Sequence, residues 1–390
     1  MLSSVPGKPP HVRPGPFFPC PGKSPPQGGK KLIVMYNILQ NTLKLKSVNS
    51  FLKEGLLVKR LLQAVLCVSI LLVVAGGAFA AAKPEYVIKV GYILPETQSD
   101  HIVMRDVFKK DIEEKSGGRI SVELYPNAQL GGDRELIESV QLGTIQVAIP
   151  ATAAMAGFDK RFQVFDLPFM FKSKEVAFRA LDGELGKAAD ELLKPLGMRN
   201  LGFGENGYRH ISNSRKPITT PDDLKGLKIR TMEIPLHVSF FKMLGANPTP
   251  MSFGELYTAL QQKTVDGQEN PVVLVYTSKF YEVQKYYSLT GHLYSATILV
   301  ANDDYFANMP EDLWKIVEEA GHRYVVEQRA MADEQEKVFL EDLKKAGMEV
   351  NELTPEQKQL FIDATLPVYD EYKDIIGADL VELAKKANID

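Results

Sequence analysis

The sequence predicts an α/β protein of two lobes around a cleft, with a long C-terminal helix acting as a strut. Three observations predict it. Between residues 86 and 149 short apolar strands alternate with amphipathic helices, the pattern of a parallel sheet with helices on its faces. A second strand and helix series follows from residue 174, and two such units in one chain imply two lobes. From Pro310, the stretch EDLWKIVEEAGHRYVVEQRAMADEQEKVFLEDLKKAG carries a helical pattern of about 36 residues, some 54 Å if unbroken, which exceeds most single lobes.

In order, the pattern gives a strand at 87–93, a helix at 102–115, a strand at 120–124 after Gly117 and Gly118, a helix at 134–142 and a strand at 145–149. The second series has a helix at 174–193 and strands near 198–203, 227–231 and Val265. Between the last two lies SFGELYTALQQ, a helix in which Ser252 and Glu255 form a capping box and Phe253, Tyr257 and Leu260 share one face. Gly321 is the point at which the long helix could divide. A helix pair follows it, opened by the capping box of Thr354, Pro355, Glu356 and Gln357.

Charge divides the 390 residues at about position 80. Ten of the 46 Lys and Arg and one of the 49 Asp and Glu fall before it, so the remainder carries 36 basic against 48 acidic residues, a net of −12. Residues 61–82 run uncharged behind Lys59 and Arg60 and end in Ala78-Phe79-Ala80, the layout of a secretory signal peptide. The rival is an uncleaved anchor, but the apolar core from Leu61 to Val74 is short and gives way to Gly76-Gly77. Residues 58–80 are therefore expected to be a signal peptide and the mature chain to start at Ala81 or Ala82. Residues 1–57, with nine prolines before position 27, read as a leader without structure or as a misassigned start, with Met35 or Val58 as alternative initiators.

Several chemistries are excluded or left without support. Both cysteines, Cys20 and Cys67, precede position 80, so the remaining 310 residues can form no disulfide, zinc-thiolate site or cysteine nucleophile. Five of the six histidines follow the signal, none spaced as a pair of metal ligands on one helical turn, and no metal is expected. Gly202-Phe203-Gly204-Glu205-Asn206-Gly207 matches a dinucleotide fingerprint, yet YRHISNSRKPITT follows where a helix is required. No nucleophile elbow or paired catalytic acids stand out, so no catalytic residue is assigned. An acidic body without a basic run argues against nucleic acid.

The informative stretch runs from Gly207 to Pro271. Arg230 lies at the end of a strand whose Leu227 and Ile229 face opposite to it. An arginine is ordinarily a solvated surface charge, but the C-terminal end of a strand in an α/β unit is where crevice ligands bind, and a guanidinium grips a carboxylate bidentately. Arg209 stands just past the glycine cluster. Glu233, three residues beyond Arg230, either caps the next helix in solvent or faces the cleft, where it would repel a second carboxylate and accept hydrogen bonds from hydroxyls.

GLKIRTMEIP, LGANPTPMSFGELYTALQQKTVDGQENP, KFYEVQKYYSLTGH, YPNAQLGGDRELIESVQLG and VFDLPFMF together resemble the DctP-type solute-binding proteins of tripartite ATP-independent periplasmic (TRAP) transporters, over about residues 86–385. The resemblance implies a periplasmic-binding-protein fold with a hinge, and lobes expected at 82–206 plus 296–335 and at 207–295 plus 336–390. It implies that Arg230 pairs with a ligand carboxylate in company with Asn270, that Arg209 is a second cleft arginine and that Phe253 packs on the ligand. Thr152 is counted with this set. Members that bind sialic acid carry a glutamate where this chain has Ala151, which argues against that ligand.

The expected function is capture of a small organic acid by a periplasmic monomer, by hinge closure and without cofactor, for delivery to TRAP membrane permease subunits. A hydroxylated monocarboxylate such as a sugar acid is favoured over a C4-dicarboxylate. A secreted enzyme acting on a carboxylate and a dicarboxylate-binding sensor subunit are the alternatives.

Overall fold

The computed structural model describes residues 83–388; the expected leader at 1–57 and signal peptide at 58–80 lie outside the described residues. Strand β1 (Tyr86–Gly91) pairs in parallel with β2 (Ile120–Tyr125) and with the short β3 (Val147–Ala148), through helices at 99–115 and Asp133–Gln141 (α1 and α2). A second parallel group joins β5 (Lys228–Thr231), β6 (Asn247–Pro250) and β7 (Gly267–Asn270), with α5 (Pro235–Met243) and α6 (Phe253–Gln261) as crossovers. Between β3 and β4, helices α3 (Lys174–Asp182) and α4 (Glu184–Leu193) replace the single helix expected at 174–193, because the chain breaks at Gly183.

What joins the two groups was only partly expected. Strand β4 (Met198–Asn213) runs for 16 residues, straight through the glycine cluster, where the sequence suggested a strand only to 203. Its antiparallel partner β8 (Tyr286–Asn302), of 17 residues, was not expected at all. One half of this ribbon meets β3 and the other meets β7, so the sheet order is β2-β1-β3-β8-β4-β7-β5-β6. The ladder shifts register in three places, between Asn200 and Phe203, between Glu205 and Gly207 and between Arg209 and Ile211. A short β9 (Glu349–Glu352) adds to β8.

Short helices α7 (Val272–Thr277) and α8 (Asp303–Ala307) precede and follow β8, and the strut α9 (Glu311–Lys345) is 35 residues without a break. It packs across both lobes. Leu313, Val317, Ala320 and Tyr324 enter a core with Ile88, Val90, Met104 and Phe108, whereas Leu343 enters a separate core with Leu256, Val265, Val275 and Tyr287. After β9 the capping box at Thr354 and Gln357 is formed and opens α10 (Pro355–Thr365), followed by α11 (Pro367–Ile376) and α12 (Ala378–Lys386). These last helices contribute Phe361, Val368, Tyr372 and Ile376 to a third core, shared by residues of both α/β units.

Gly321 is not a break but a contact. A Cβ there would stand 2.9 Å from the Leu201 carbonyl, and one on Gly202, whose φ is +141°, would stand 2.4 Å from Val325 Cγ2. Gly202 and Gly204 of the sequence that imitates a nucleotide motif therefore let the strut lie directly on β4. Alanine normally gains about 1 kcal/mol over glycine in a helix. Gly321→Ala should nevertheless lose net stability in urea unfolding, by roughly 1 to 3 kcal/mol as in other overpacked contacts; a gain would mean that the strut does not press on the strand.

Candidate functional site: the interlobe cleft

Both parallel groups point the C-terminal ends of their strands at one cavity of about 100 Å³. At roughly 10 to 15 Å³ per water-sized group, that holds some seven to ten such groups, the size of a small organic acid. The first lobe supplies Ile93, Leu94 and the start of α2; the ribbon supplies Asn206, Arg209 and Thr297; the second lobe supplies the residues after β5 and the start of α6.

Arg230, the third residue of β5, is 3% exposed. Its Nε and Nη2 donate to the Met251 carbonyl at 3.0 and 2.7 Å, which fixes the plane of the guanidinium. No carboxylate among the described residues lies within ion-pair distance of it. Burial pulls its pKa down to about 10, with Glu269 opposing and Arg209 reinforcing the shift, so it remains a cation at neutral pH. Phe253, the first residue of α6, lies with its ring centroid 6.0 Å from the Arg230 Cζ and 5.9 Å from the Phe280 ring, which limits where it can move.

Arg209 is bound differently. It is fully buried on β4, its Nε and Nη2 grip Glu269 at 2.5 and 2.7 Å, and Nη2 also donates to the Glu269 carbonyl at 2.7 Å. Burial alone would raise the Glu269 carboxyl, but Arg209 and a hydrogen bond from His292 hold it well below the usual carboxylate range. The His292 Nε2 lies 3.3 Å from Glu269 Oε2, its Nδ1 lies 2.7 Å from Thr290 Oγ1, and burial lowers its own pKa, so it is a neutral donor. The second cleft arginine thus arrives already neutralised.

Of the expected residues, Arg209, Arg230, Glu233, Phe253 and Asn270 line the cavity together. Glu233 does so from an exposed position at the rim. Asn270 is held by Arg209: its Oδ1 accepts from Arg209 Nη2 at 3.0 Å and its Nδ2 donates to Gln268 Oε1. One expectation changes. Thr152 does not line the cavity; it is buried with its hydroxyl donated to the Ala296 carbonyl at 3.3 Å, and Ala151 and Ala154 line the wall instead. The capping box expected at Ser252 and Glu255 is likewise not formed, although the helix begins there.

Sequence reasoning missed three polar groups. Asp133, in the first turn of α2, has a shielded Oδ1 without a hydrogen-bond partner among the described residues, and burial pushes its carboxyl up to about 7 against the pull of Arg230. Asn206 donates to Ser295 Oγ at 3.1 Å and leaves its Oδ1 unpartnered at the cavity. Glu269 stands beside Asn270 in QENP, where only its pairing with a distant arginine reveals a role.

Residues 90–374 match the DctP family, bacterial extracellular solute-binding protein family 7. The chain belongs to this family. The 2,3-diketo-L-gulonate-binding periplasmic protein YiaO of Escherichia coli is 37% identical over 299 residues, 76% of this chain and 90% of that one. Among solved structures, the sugar acid binding protein DctPAm of Advenella mimigardefordensis in complex with galactonate has a TM-score of 0.76 and 36% identity, covering 78% of this chain and 99% of that one. A TRAP periplasmic solute-binding protein of Sulfurospirillum deleyianum with bound succinate has a TM-score of 0.75 and 32% identity over 78% and 99%. TRAP solute-binding proteins are binding proteins, not enzymes, and the reading as a secreted enzyme falls away.

The Glu269 and Arg209 pair makes stability depend on acid. Because the carboxyl is held below its unfolded value of about 4.3, its contribution is fully present above that pH and is lost as pH falls further. Glu269→Gln strands a buried guanidinium and should cost roughly 3 to 5 kcal/mol at pH 7. The gap between wild type and variant should narrow below about pH 4; urea unfolding that shows a constant gap from pH 7 to pH 3 would mean the pair is not ionised.

Proposed function

We propose that the protein is the periplasmic capture subunit of a TRAP transporter, exported by the signal at 58–80, which closes on a hydroxylated monocarboxylate and hands it to the membrane permease. The observation that carries the ligand class is the inequality of the two arginines. Arg230 brings to the cavity a guanidinium without a carboxylate partner among the described residues, whereas Arg209 is matched by Glu269. One carboxylate is thereby compensated; a second would find at the wall only the exposed Arg134, already paired with Glu138, together with the acids Glu233 and Glu135. Hydroxyl groups meet acceptors there, in Glu233, Asp133 and the free Asn206 Oδ1. The relatives include both sugar-acid and succinate binders, so the family alone leaves this choice open.

Closure in this reading brings 82–206 plus 296–335 toward 207–295 plus 336–390, with the β4 and β8 ribbon bending where its ladder shifts register. The acid favours the closed form because it touches both halves: its carboxylate meets Arg230 and Phe253, and its hydroxyls meet Asp133 and Asn206.

A thermal-shift screen of aldonates, uronates, 2-oxo acids and C4-dicarboxylates on the purified protein tests the ligand class. A ligand at a hundred times its Kd adds about 2.7 kcal/mol of stability, a readable shift. The largest shift is expected from a sugar acid; a dominant shift with succinate or malate and none with sugar acids would overturn the assignment. In calorimetry with the best ligand, Arg230→Ala should lose about 2 to 5 kcal/mol, roughly 30-fold to several thousand-fold. Arg230→Lys should recover only part, since an ammonium lacks the planar fork.

A further inference from the structure

We propose that His237 carries a proton on both ring nitrogens and, held between Asp166 and Glu269, acts as a positioning residue for the cleft arginine Arg209. His237 is fully buried on α5. Its Nε2 lies 3.0 Å from Asp166 Oδ1, and its Nδ1 lies 4.0 Å from Glu269 Oε1 with no hydrogen-bond partner among the described residues. Asp166 comes from the segment Lys160–Asp166 of the first α/β unit, and Gln163 of that segment accepts from the Leu236 amide at 3.2 Å, next to His237.

Charge decides the protonation. Asp166 and Glu269 are both buried to within 1% exposure, and the guanidinium of Arg209 is already spent on Glu269. Arg230, the other buried cation of the cleft, makes no ion pair with either acid, so Asp166 keeps only His237 as a hydrogen-bond partner among the described residues, and an uncompensated carboxylate in the interior is strongly unfavourable. The other groups facing this pocket do not supply the missing charge: His292 on β8 is the neutral donor to Glu269, and Glu371 of α11 meets α5 on its outer side through Ser239. A neutral His237 donating to Asp166 would point a bare nitrogen lone pair at the Glu269 carboxylate. A proton on Nδ1 turns that repulsion into attraction and compensates both acids.

The consequence reaches the cleft through Glu269. Its Oε2 is fixed by Arg209 and His292, its Oε1 by Arg209 and the His237 cation, and Arg209 in turn holds Asn270 at the cavity wall. His237 does not line the cleft cavity, so it acts there only through these groups.

The affinity part of this inference rests on the proposed acid-binding function, whereas the protonation part does not. Long-range proton to nitrogen correlation spectra of the histidine-labelled wild-type protein at pH 7.5, without ligand, should show both nitrogens of His237 protonated and His292 with one bare nitrogen. A bare nitrogen on His237 would overturn the proposal whether or not any variant folds. With galactonate as the probe, His237→Gln should weaken binding by about 3- to 30-fold, and His237→Gln with Asp166→Asn should recover part of that loss, because the stranded acid is then removed. Unchanged galactonate affinity in His237→Gln would refute the positioning role. Absence of binding by the wild type to galactonate and every other sugar acid would instead count against the proposed function, leaving the spectra to decide the proton.

Discussion

The rest of the structure depends on a constraint of length. Strands of 16 and 17 residues span about 53 to 56 Å at 3.3 Å per residue, and the 35-residue strut spans about 52 Å at 1.5 Å per residue. Neither fits within one lobe, so ribbon and strut together run through both lobes and fix the distance between the two parallel strand groups. They are also fastened to each other. Gln328 of the strut exchanges two hydrogen bonds of 2.7 Å with the Glu205 backbone, and Lys174 meets Glu205 at 2.9 Å and Asp333 of the strut at 3.2 Å. The ladder is irregular in three places, and the middle one, between Glu205 and Gly207, is where the cavity-lining Asn206 sits. An irregular stretch of the ribbon therefore carries a polar group into the site.

That geometry explains why two arginines so near in sequence have opposite roles. Arg209 lies on the ribbon, between β7 and β8, almost wholly buried, where a guanidinium without a carboxylate is costly; Glu269 on β7 meets that requirement. Arg230 ends a strand of a parallel group, where the chain leaves the sheet, and its partner among the described residues is only the Met251 carbonyl at the entry to α6. A carbonyl orients a guanidinium without neutralising it. The cleft thus presents one aimed and unspent positive charge, which is what selective capture of a single carboxylate requires.

The fold class was legible because it rests on local periodicity. Alternating strands and helices, the 36-residue helical pattern and the Thr354 capping box each declare themselves within a few turns of chain. Strand β8 was missed because YYSLTGHLYSATILVAN is buried on both faces, with Ser288, Thr290 and His292 all inaccessible, so the alternation that marks a half-exposed strand is absent. The glycines of β4 hid its length for a related reason: Gly202 reads as punctuation in sequence, and only the strut lying against it explains the residue. In the site, Arg230 is legible from its place at the end of a strand, Phe253 and Asn270 through an extended family resemblance, and Glu233 through its distance from Arg230. Glu269, Asp133 and Asn206 stayed hidden because their roles come from pairings across 60 or more residues or from burial, neither of which leaves a local trace. Thr152 shows the converse: a plausible polar residue beside a lining position, turned inward by one hydrogen bond to the ribbon.

A chain whose described body and tail carry a net −12 has no long-range attraction for an anion, yet the site is made for one. The two facts are compatible because they act over different distances. Surface carboxylates are screened over about 8 Å at physiological ionic strength, whereas Arg230 acts inside a desolvated cavity where screening is weak. Encounter is then left to diffusion, and discrimination to the interior. A negative exterior also disfavours loose adhesion of abundant anions, so in the proposed reading an acid is retained only if it reaches the buried guanidinium and satisfies the acceptors around it. Selectivity in this architecture comes from keeping almost every other positive charge near the cleft already paired, and the Arg209 and Glu269 contact is the clearest instance of that economy.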